Sequence, residues 1–209
     1  MNNILIKVEN LVKTFGGLVA LNDCSLEIKD KAITGIIGPN GSGKTTLFNV
    51  ITGNLKPDTG KVFYNGVEIT NEESHDLFHL GVLRTFQIAH EFSNMTVIEN
   101  LMVVPGNQKG EKLLYSLMNS QKIKKEDELI KDKAMEVLKF LKIEHLKNER
   151  AGNLSGGQKK LLELARTMMV DAKIVFLDEV GAGVNKTLLR DISDSILKLN
   201  QDKGYTFCM

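Results

Sequence analysis

The sequence predicts an α/β fold whose sheet-forming core is interrupted by a helical insertion. Three observations carry this. Ile4, Ile6 and Val8 alternate with Lys7 and Glu9, and Cys24, Leu26 and Ile28 alternate with Ser25, Glu27 and Lys29, the period of two that marks half-buried strands. Ile33-Thr34-Gly35-Ile36-Ile37 is a short apolar run, expected as a strand buried on both faces. Leu129, Ile130, Ala134, Val137, Leu138 and Leu141 recur at helical spacing, which places helix within the stretch from about 88 to 150.

In chain order, the first 70 residues read as strands and turns. The Ile33–Ile37 run leads into a Gly-rich turn and then a helix with Leu47, Val50 and Ile51 on one side, stopped by Gly53 and Pro57. Val62-Phe63-Tyr64, Asn65-Gly66 and Val67-Glu68-Ile69 read as a hairpin, because Asn-Gly tolerates the positive φ of a type I′ turn. Lys, Glu and Asp mingle from Gln121 to Lys133, the mark of a solvated helix face. After 150 come a helix from Gly156 to Val170, a buried strand from Lys173 to Leu177, a helix from about Lys186 to Asn200 and a strand at Tyr205–Met209. The expected organisation is a single domain over 1–209, with a core and β subdomain at about 1–87 and 151–209 and a helical subdomain at about 88–150.

Composition excludes several classes of function. Lys plus Arg number 27 and Asp plus Glu 26, so the formal charge is 27 − 26 = +1. So even a balance carries no global footprint for nucleic acid or an anionic membrane surface. The 209 residues are 42% hydrophobic and 25% charged, a globular composition able to bury a core without staples. Cys24 and Cys208 cannot make a disulfide framework or a four-thiolate zinc site and read as packing residues. The N-terminus shows no signal peptide, and no apolar run approaches the roughly 20 residues of a membrane span. The expectation is a soluble, cytoplasmic protein without direct membrane insertion, reaching a membrane only through a partner.

Gly38-Pro39-Asn40-Gly41-Ser42-Gly43-Lys44-Thr45 fits G-x-x-x-x-G-K-[ST] between an apolar strand and a helix. Glycines let the backbone wrap phosphates, and the helix beginning near Lys44 adds the positive end of its dipole. Lys44 supplies a point charge for the β- and γ-phosphates, and the Thr45 hydroxyl can ligate Mg²⁺. The partner carboxylate is expected at the end of another buried strand, where Ile174-Val175-Phe176-Leu177 runs into Asp178-Glu179. Asp178 would hold the metal through its hydration shell, and Glu179 could polarise an attacking water.

Leu154-Ser155-Gly156-Gly157-Gln158, just upstream of the Asp178-Glu179 strand, resembles the signature of ABC ATPases. Ser155 can cap the following helix, and Gly156 and Gly157 can leave N–H groups bare for an anion. The resemblance implies a P-loop NTPase (RecA-like) core with an antiparallel β subdomain and a helical insertion subdomain. It implies head-to-tail pairing of two such domains around two ATP molecules, the signature of each facing the other's nucleotide. Gln87, in Arg84-Thr85-Phe86-Gln87, resembles the family's Q-loop glutamine, which reaches Mg²⁺ and water and links the core to the helical insertion. Phe15 lies where the family places an aromatic against adenine, and Gly181–Asn185 looks like the loop that crosses the dimer interface. The expected cofactors are ATP and Mg²⁺. The ATP contacts are Phe15, Gly38, Pro39, Asn40, Gly41, Ser42, Gly43, Lys44, Thr45 and Thr46; the metal side is Thr45, Gln87 and Asp178; the catalytic groups are Glu179, Gln87 and Lys44.

Phe15–Asn22, Ile36–Gly41, Thr46–Gly53, Arg84–Gln87 and Ala182–Asn185 resemble ATP-binding subunits of branched-chain amino acid importers, from about residue 4 to the last residue. That implies a transport motor working with integral membrane permease subunits, as a homodimer or beside a second ABC ATPase, peripheral on the inner face of the cell membrane. A soluble ABC ATPase acting on ribosomes or DNA commonly has tandem domains, long coiled coils or basic surfaces; this sequence has one phosphate loop, no sustained heptads and a charge of +1. A GTPase would need Asn-Lys-x-Asp, but Asn185-Lys186 is followed by Thr187-Leu188.

Two departures from the family stand out. Val180 occupies the place of a proline. The family's switch histidine would fall a few residues beyond Met209, while His75, His79, His90 and His145 lie in other segments. The sequence therefore reads as C-terminally truncated, with final core elements missing, a sheet edge and apolar face exposed, and ATP-contacting loops that turn ATP over poorly.

Overall fold

The computed structural model describes residues 3–85, 91–106, 108, 120–170, 172–178, 181 and 184–209. Its strands are β1 (Ile4–Phe15), β2 (Leu18–Lys29), β3 (Ile33–Thr34), β4 (Thr59–Tyr64), β5 (Val67–Glu68), β6 (Val82–Arg84), β7 (Ile174–Phe176) and β8 (Thr206–Cys208). The helices are α1 (Lys44–Ile51), α2 (Ser74–His79), α3 (Val97–Met102), α4 (Ser120–Phe140), α5 (Gly156–Met168) and α6 (Lys186–Lys203).

Chain contacts divide into two compact units. The first comprises Met1–Gln87, Ala172–Val180 and Ile196–Met209; the second comprises Ile88–Asp171 and Gly181–Ser195.

The first unit holds two sheets. An antiparallel sheet has the order β2-β1-β4-β5, with Ile6 opposite Ile28 and Val8 opposite both Leu26 and Val62. The alternation in β1 and β2 thus places one apolar row inward. Asn65 and Gly66 both have positive φ, 49° and 80°, and close the β4–β5 hairpin as a type I′ turn requires. A parallel sheet has the order β3-β8-β7-β6. Helix α1 buries Leu47, Phe48, Val50 and Ile51 in the same core as Ile6, Val8, Ile28, Phe176 and Cys208. The Phe48 and Phe176 rings meet edge to face at 5.2 Å, a favoured aromatic geometry.

The Ile33–Ile37 run is not buried on both faces as expected. Ile33 is 37% exposed and Ile37 98%. Among the described residues, regular pairing covers two residues and β3 pairs with β8 alone, and the backbone then leaves for the phosphate loop. An apolar run reports a preference for burial; here its place at the sheet end decides the outcome.

The second unit is helical. Ala134, Val137, Leu138 and Leu141 are buried along and just beyond α4, with Leu101 of α3 and Leu161, Leu162 and Ala165 of α5. Leu129, expected in the same stripe, is 71% exposed. It lies five residues before Ala134, which at about 100° per residue turns it to the opposite side of the helix. Asn100 is wholly buried and its amide is used up, accepting from Phe92 N at 2.8 Å and donating to the carbonyls of Phe92 and Thr96. A capping box at Thr96 and Glu99 starts α3.

Candidate functional site

The phosphate loop joins β3 to α1. Gly43 is the N-cap of α1, at φ 88°; among the described residues no side chain caps the helix, and no acidic residue lies in its first turn. The first-turn N–H groups therefore keep their positive field for an anion. Glycine is required at 43 on two counts: the φ is left-handed, and a Cβ there would stand 2.4 Å from the Ala20 carbonyl oxygen. A Cβ on Gly38 would meet Ser42 Oγ at 2.6 Å, so the loop closes on itself there.

Lys44 Nζ donates to the carbonyls of Gly38 and Pro39, each at 2.8 Å, and approaches Ser42 Oγ at 3.4 Å. The ammonium thus lies inside the curl of the loop. Phosphate oxygens can replace these neutral acceptors with stronger, charge-assisted bonds. Thr45, Asn40 and Gly41 are exposed, and Thr46 is half-buried.

Asp178 follows β7 by two residues, its carboxylate 7% exposed. Its Oδ2 accepts from Arg84 Nη2 at 2.9 Å. Arg84 ends β6, beside β7 in the parallel sheet, with Arg84 opposite Phe176, and its Nη1 donates to Asn49 Oδ1 on α1. Arg84 and Asn49 lie in segments that carry the family resemblance but are not among the site residues expected from sequence. The available signal was a cation closing the apolar Val82-Leu83 strand, a position where a charge needs a partner.

Thr45 and Asp178 are hard oxygen donors. Among the described residues no group of three or more His, Cys, Asp or Glu side chains could hold a metal. That donor set fits Mg²⁺, which takes one or two protein oxygens and completes its shell with phosphate and water.

Phe15 closes β1 with its side chain out of the core, 48% exposed. Its neighbourhood is braced by Asp58, which accepts from Lys13 Nζ at 2.8 Å, Thr14 N at 2.7 Å and Thr14 Oγ1 at 2.6 Å. The hydrogen bond from Lys13, then those from Thr14, hold the Asp58 carboxyl at about 2. Lys13 Nζ also lies 5.7 Å from the Phe15 ring centroid.

In the second unit, Ser155 caps α5 through a full capping box: Ser155 Oγ accepts from Gln158 N, and Gln158 Oε1 accepts from Ser155 N at 2.9 Å. Leu154 is buried and Ser155 and Gly156 are exposed. The two glycines differ. A Cβ on Gly156 would meet nothing within 4 Å, whereas one on Gly157 would stand 2.0 Å from Leu188 Cδ2. Gly156 is exposed with open space beside it, whereas Gly157 is buried with its Cα against Leu188 of α6. The packing partner Leu188, 31 positions away, gives no local signal in the sequence. Asn185 Oδ1 accepts from Leu188 N at 2.9 Å and starts α6. Gln87, Glu179, Val180 and the Ala182-Gly183 pair lie outside the described residues.

A strand, a glycine-rich loop folded around a lysine, an uncapped helix and a buried aspartate at the end of a second parallel strand define a P-loop nucleotide-binding protein. Comparison with known proteins carries this further. Residues 21–182 match the family described as ABC transporter. The probable branched-chain amino acid transport ATP-binding protein LivG of Methanocaldococcus jannaschii is 46% identical over 203 residues, 97% of this chain and 78% of that protein. A crystal structure of the ADP conformation of an ATP-binding cassette from an ABC transporter superposes with a TM-score of 0.81 at 44% identity, over 98% of this chain and 80% of the other. A dimeric post-hydrolysis cassette bound to ADP and Pi gives 0.78 at 25% identity, over 98% and 86%. The chain belongs to the ABC transporter family, as one of its ATP-binding ATPase subunits.

Proposed function

We propose that this subunit uses ATP, with Mg²⁺, to drive import of branched-chain or other hydrophobic amino acids. The observation that carries the nucleotide assignment is the curl of Gly38–Ser42 around Lys44 Nζ at the bare end of α1. The LivG relative's named substrate class supports the solute.

Amides of Gly41, Ser42, Gly43, Lys44, Thr45 and Thr46 bind the phosphates, with Pro39 and Asn40 shaping the loop and the Phe15 ring stacking on adenine. Lys44 holds the β- and γ-oxygens. Thr45 and Asp178, with Gln87, hold the metal side; magnesium, when bound, neutralises charge on the transferring phosphoryl group. Glu179 takes a proton from the attacking water, which Gln87 helps to orient. The Leu154–Gln158 segment, through the open backbone at Gly156, contacts the γ-phosphate held by a second cassette. Binding closes the pair and hydrolysis with phosphate loss reopens it. The movement passes to integral membrane permease subunits, which place this chain at the inner face of the membrane. Among the described residues no helix is long and apolar enough to cross a membrane itself.

Titration with a fluorescent ATP analogue in Mg²⁺ tests the nucleotide assignment. Lys44→Ala should weaken binding about tenfold to a hundredfold, the worth of a charge-assisted bond. Phe15→Ala should weaken it about three- to tenfold. Equal affinity in Lys44→Ala and the parent chain would refute the assignment.

A further inference from the structure

Arg84 is the one basic residue in an otherwise apolar β6, and its side chain is 9% exposed. Its guanidinium spans two elements of the nucleotide site. Nη2 donates to Asp178 Oδ2 at 2.9 Å, and Nη1 donates to Asn49 Oδ1 on α1, the helix that carries Lys44 and Thr45. Nε has no partner among the described residues, so these two bonds are the polar anchors of a buried cation.

A lone carboxylate at 7% exposure would be costly to keep charged. Arg84 supplies the counter-charge. The fork of a guanidinium also fixes direction, since two N–H donors in one plane address two acceptors at once. Asp178 and the first turn of α1 come from segments over 100 residues apart, yet metal binding needs the Thr45 hydroxyl and the Asp178 carboxylate in register. One rigid group bonded to both elements sets that register.

We propose that Arg84 is a positioning residue that ties the metal-side carboxylate to the phosphate-loop helix and thereby sets Mg²⁺-dependent nucleotide affinity. The proposal rests on the reading of Asp178 as the metal-side acid. Arg84 touches neither phosphate nor metal in this scheme; it acts by holding Asp178 where the metal's water shell meets it. Outer partners of this kind change metal affinity by about 10- to 100-fold when removed.

The test is equilibrium binding of a fluorescent ATP analogue, in excess Mg²⁺ and in a chelator, on the full chain. The ratio of the two affinities is the magnesium gain. Arg84→Gln should cut the gain about tenfold or more and leave chelator affinity within about twofold, because the loop amides and Lys44 are untouched. Arg84→Lys, which keeps the charge but loses the fork, should fall between the two. It serves as the milder variant should Arg84→Gln unfold, and in that case a gain lowered in Arg84→Lys at unchanged chelator affinity supports the proposal. Asn49→Ala, which cuts the link to α1, should lower the gain in the same direction. In an Asp178→Asn background, Arg84→Gln should cost no further gain.

Equal losses in magnesium and chelator would mean that Arg84 only stabilises the fold, and would overturn the proposal. An unchanged or increased gain would overturn it too, the increase showing that repulsion between Arg84 and the metal outweighs positioning. An Asp178→Asn variant with full magnesium gain would refute instead the assignment of Asp178. If Arg84→Gln lowers the gain as much in that background as in the parent, the effect does not run through Asp178 and the tie is refuted while the Asp178 assignment stands.

Discussion

Asp58 shows how a solvent-facing carboxylate can organise a site edge. Its bonds to Lys13 and Thr14 hold its carboxyl at about 2, against an ordinary value of 3.8. The lowered value belongs to the folded state, so the stabilisation is fully present above pH 3.8 and is lost as pH falls through about 2. A carbon-detected NMR titration should place the midpoint near 2, and the destabilisation caused by Asp58→Asn at neutral pH should vanish once Asp58 is protonated in both states. A midpoint at the ordinary value would remove this brace on the Phe15 segment. The two thiols differ for a related reason. Burial pushes Cys208 up to about 12, and burial raises half-buried Cys24 less far. Alkylation reads thiolate and access, so Cys24 should be modified in the native protein and Cys208 only on unfolding, as peptide mass mapping would show. The sequence pattern put both cysteines in strands, and both are there; their difference in exposure was not legible, because it depends on which strands flank each one.

At the scale of elements, contiguity governed what could be read. The phosphate loop, its helix and the Ser155 cap involve residues within a few positions, so pattern and chemistry coincide in one window. The β4–β5 turn was legible for the same reason. The exposure of β3 was not, since an apolar pentapeptide carries no information about its place in a sheet. Nor was the tie between Arg84 and Asp178, 94 positions apart, nor the difference in packing between Gly156 and Gly157. That difference gives a sharp contrast. Gly157→Ala should cost about 1–3 kcal/mol, because Leu188 must give way in a packed interface. Gly156→Ala faces open space and should change stability by less than about 0.5 kcal/mol, while weakening any anion contact made through its backbone. Chemical unfolding curves for the two variants check this, and equal shifts would contradict it.

For the molecule as a whole, the order of motifs along the chain was more informative than composition. The phosphate loop, the signature and the acidic strand end occur in the sequence order of an ABC ATPase, and the family match over residues 21–182 spans all three. A charge of +1 carries no comparable signal. In the proposed mechanism a nucleotide is bound by the loop of one copy and the signature of another. That arrangement is tested most directly by the mass in solution of the Glu179→Gln variant, which should bind ATP without turning it over. Sedimentation velocity in ATP and Mg²⁺ should show a species of twice the 23.2 kDa protomer mass, reverting to the protomer with ADP and abolished by Ser155→Arg, which places a bulky side chain at the exposed cap of α5. A single mass in ATP, ADP and no nucleotide alike would refute ATP-driven pairing through the loop and the signature.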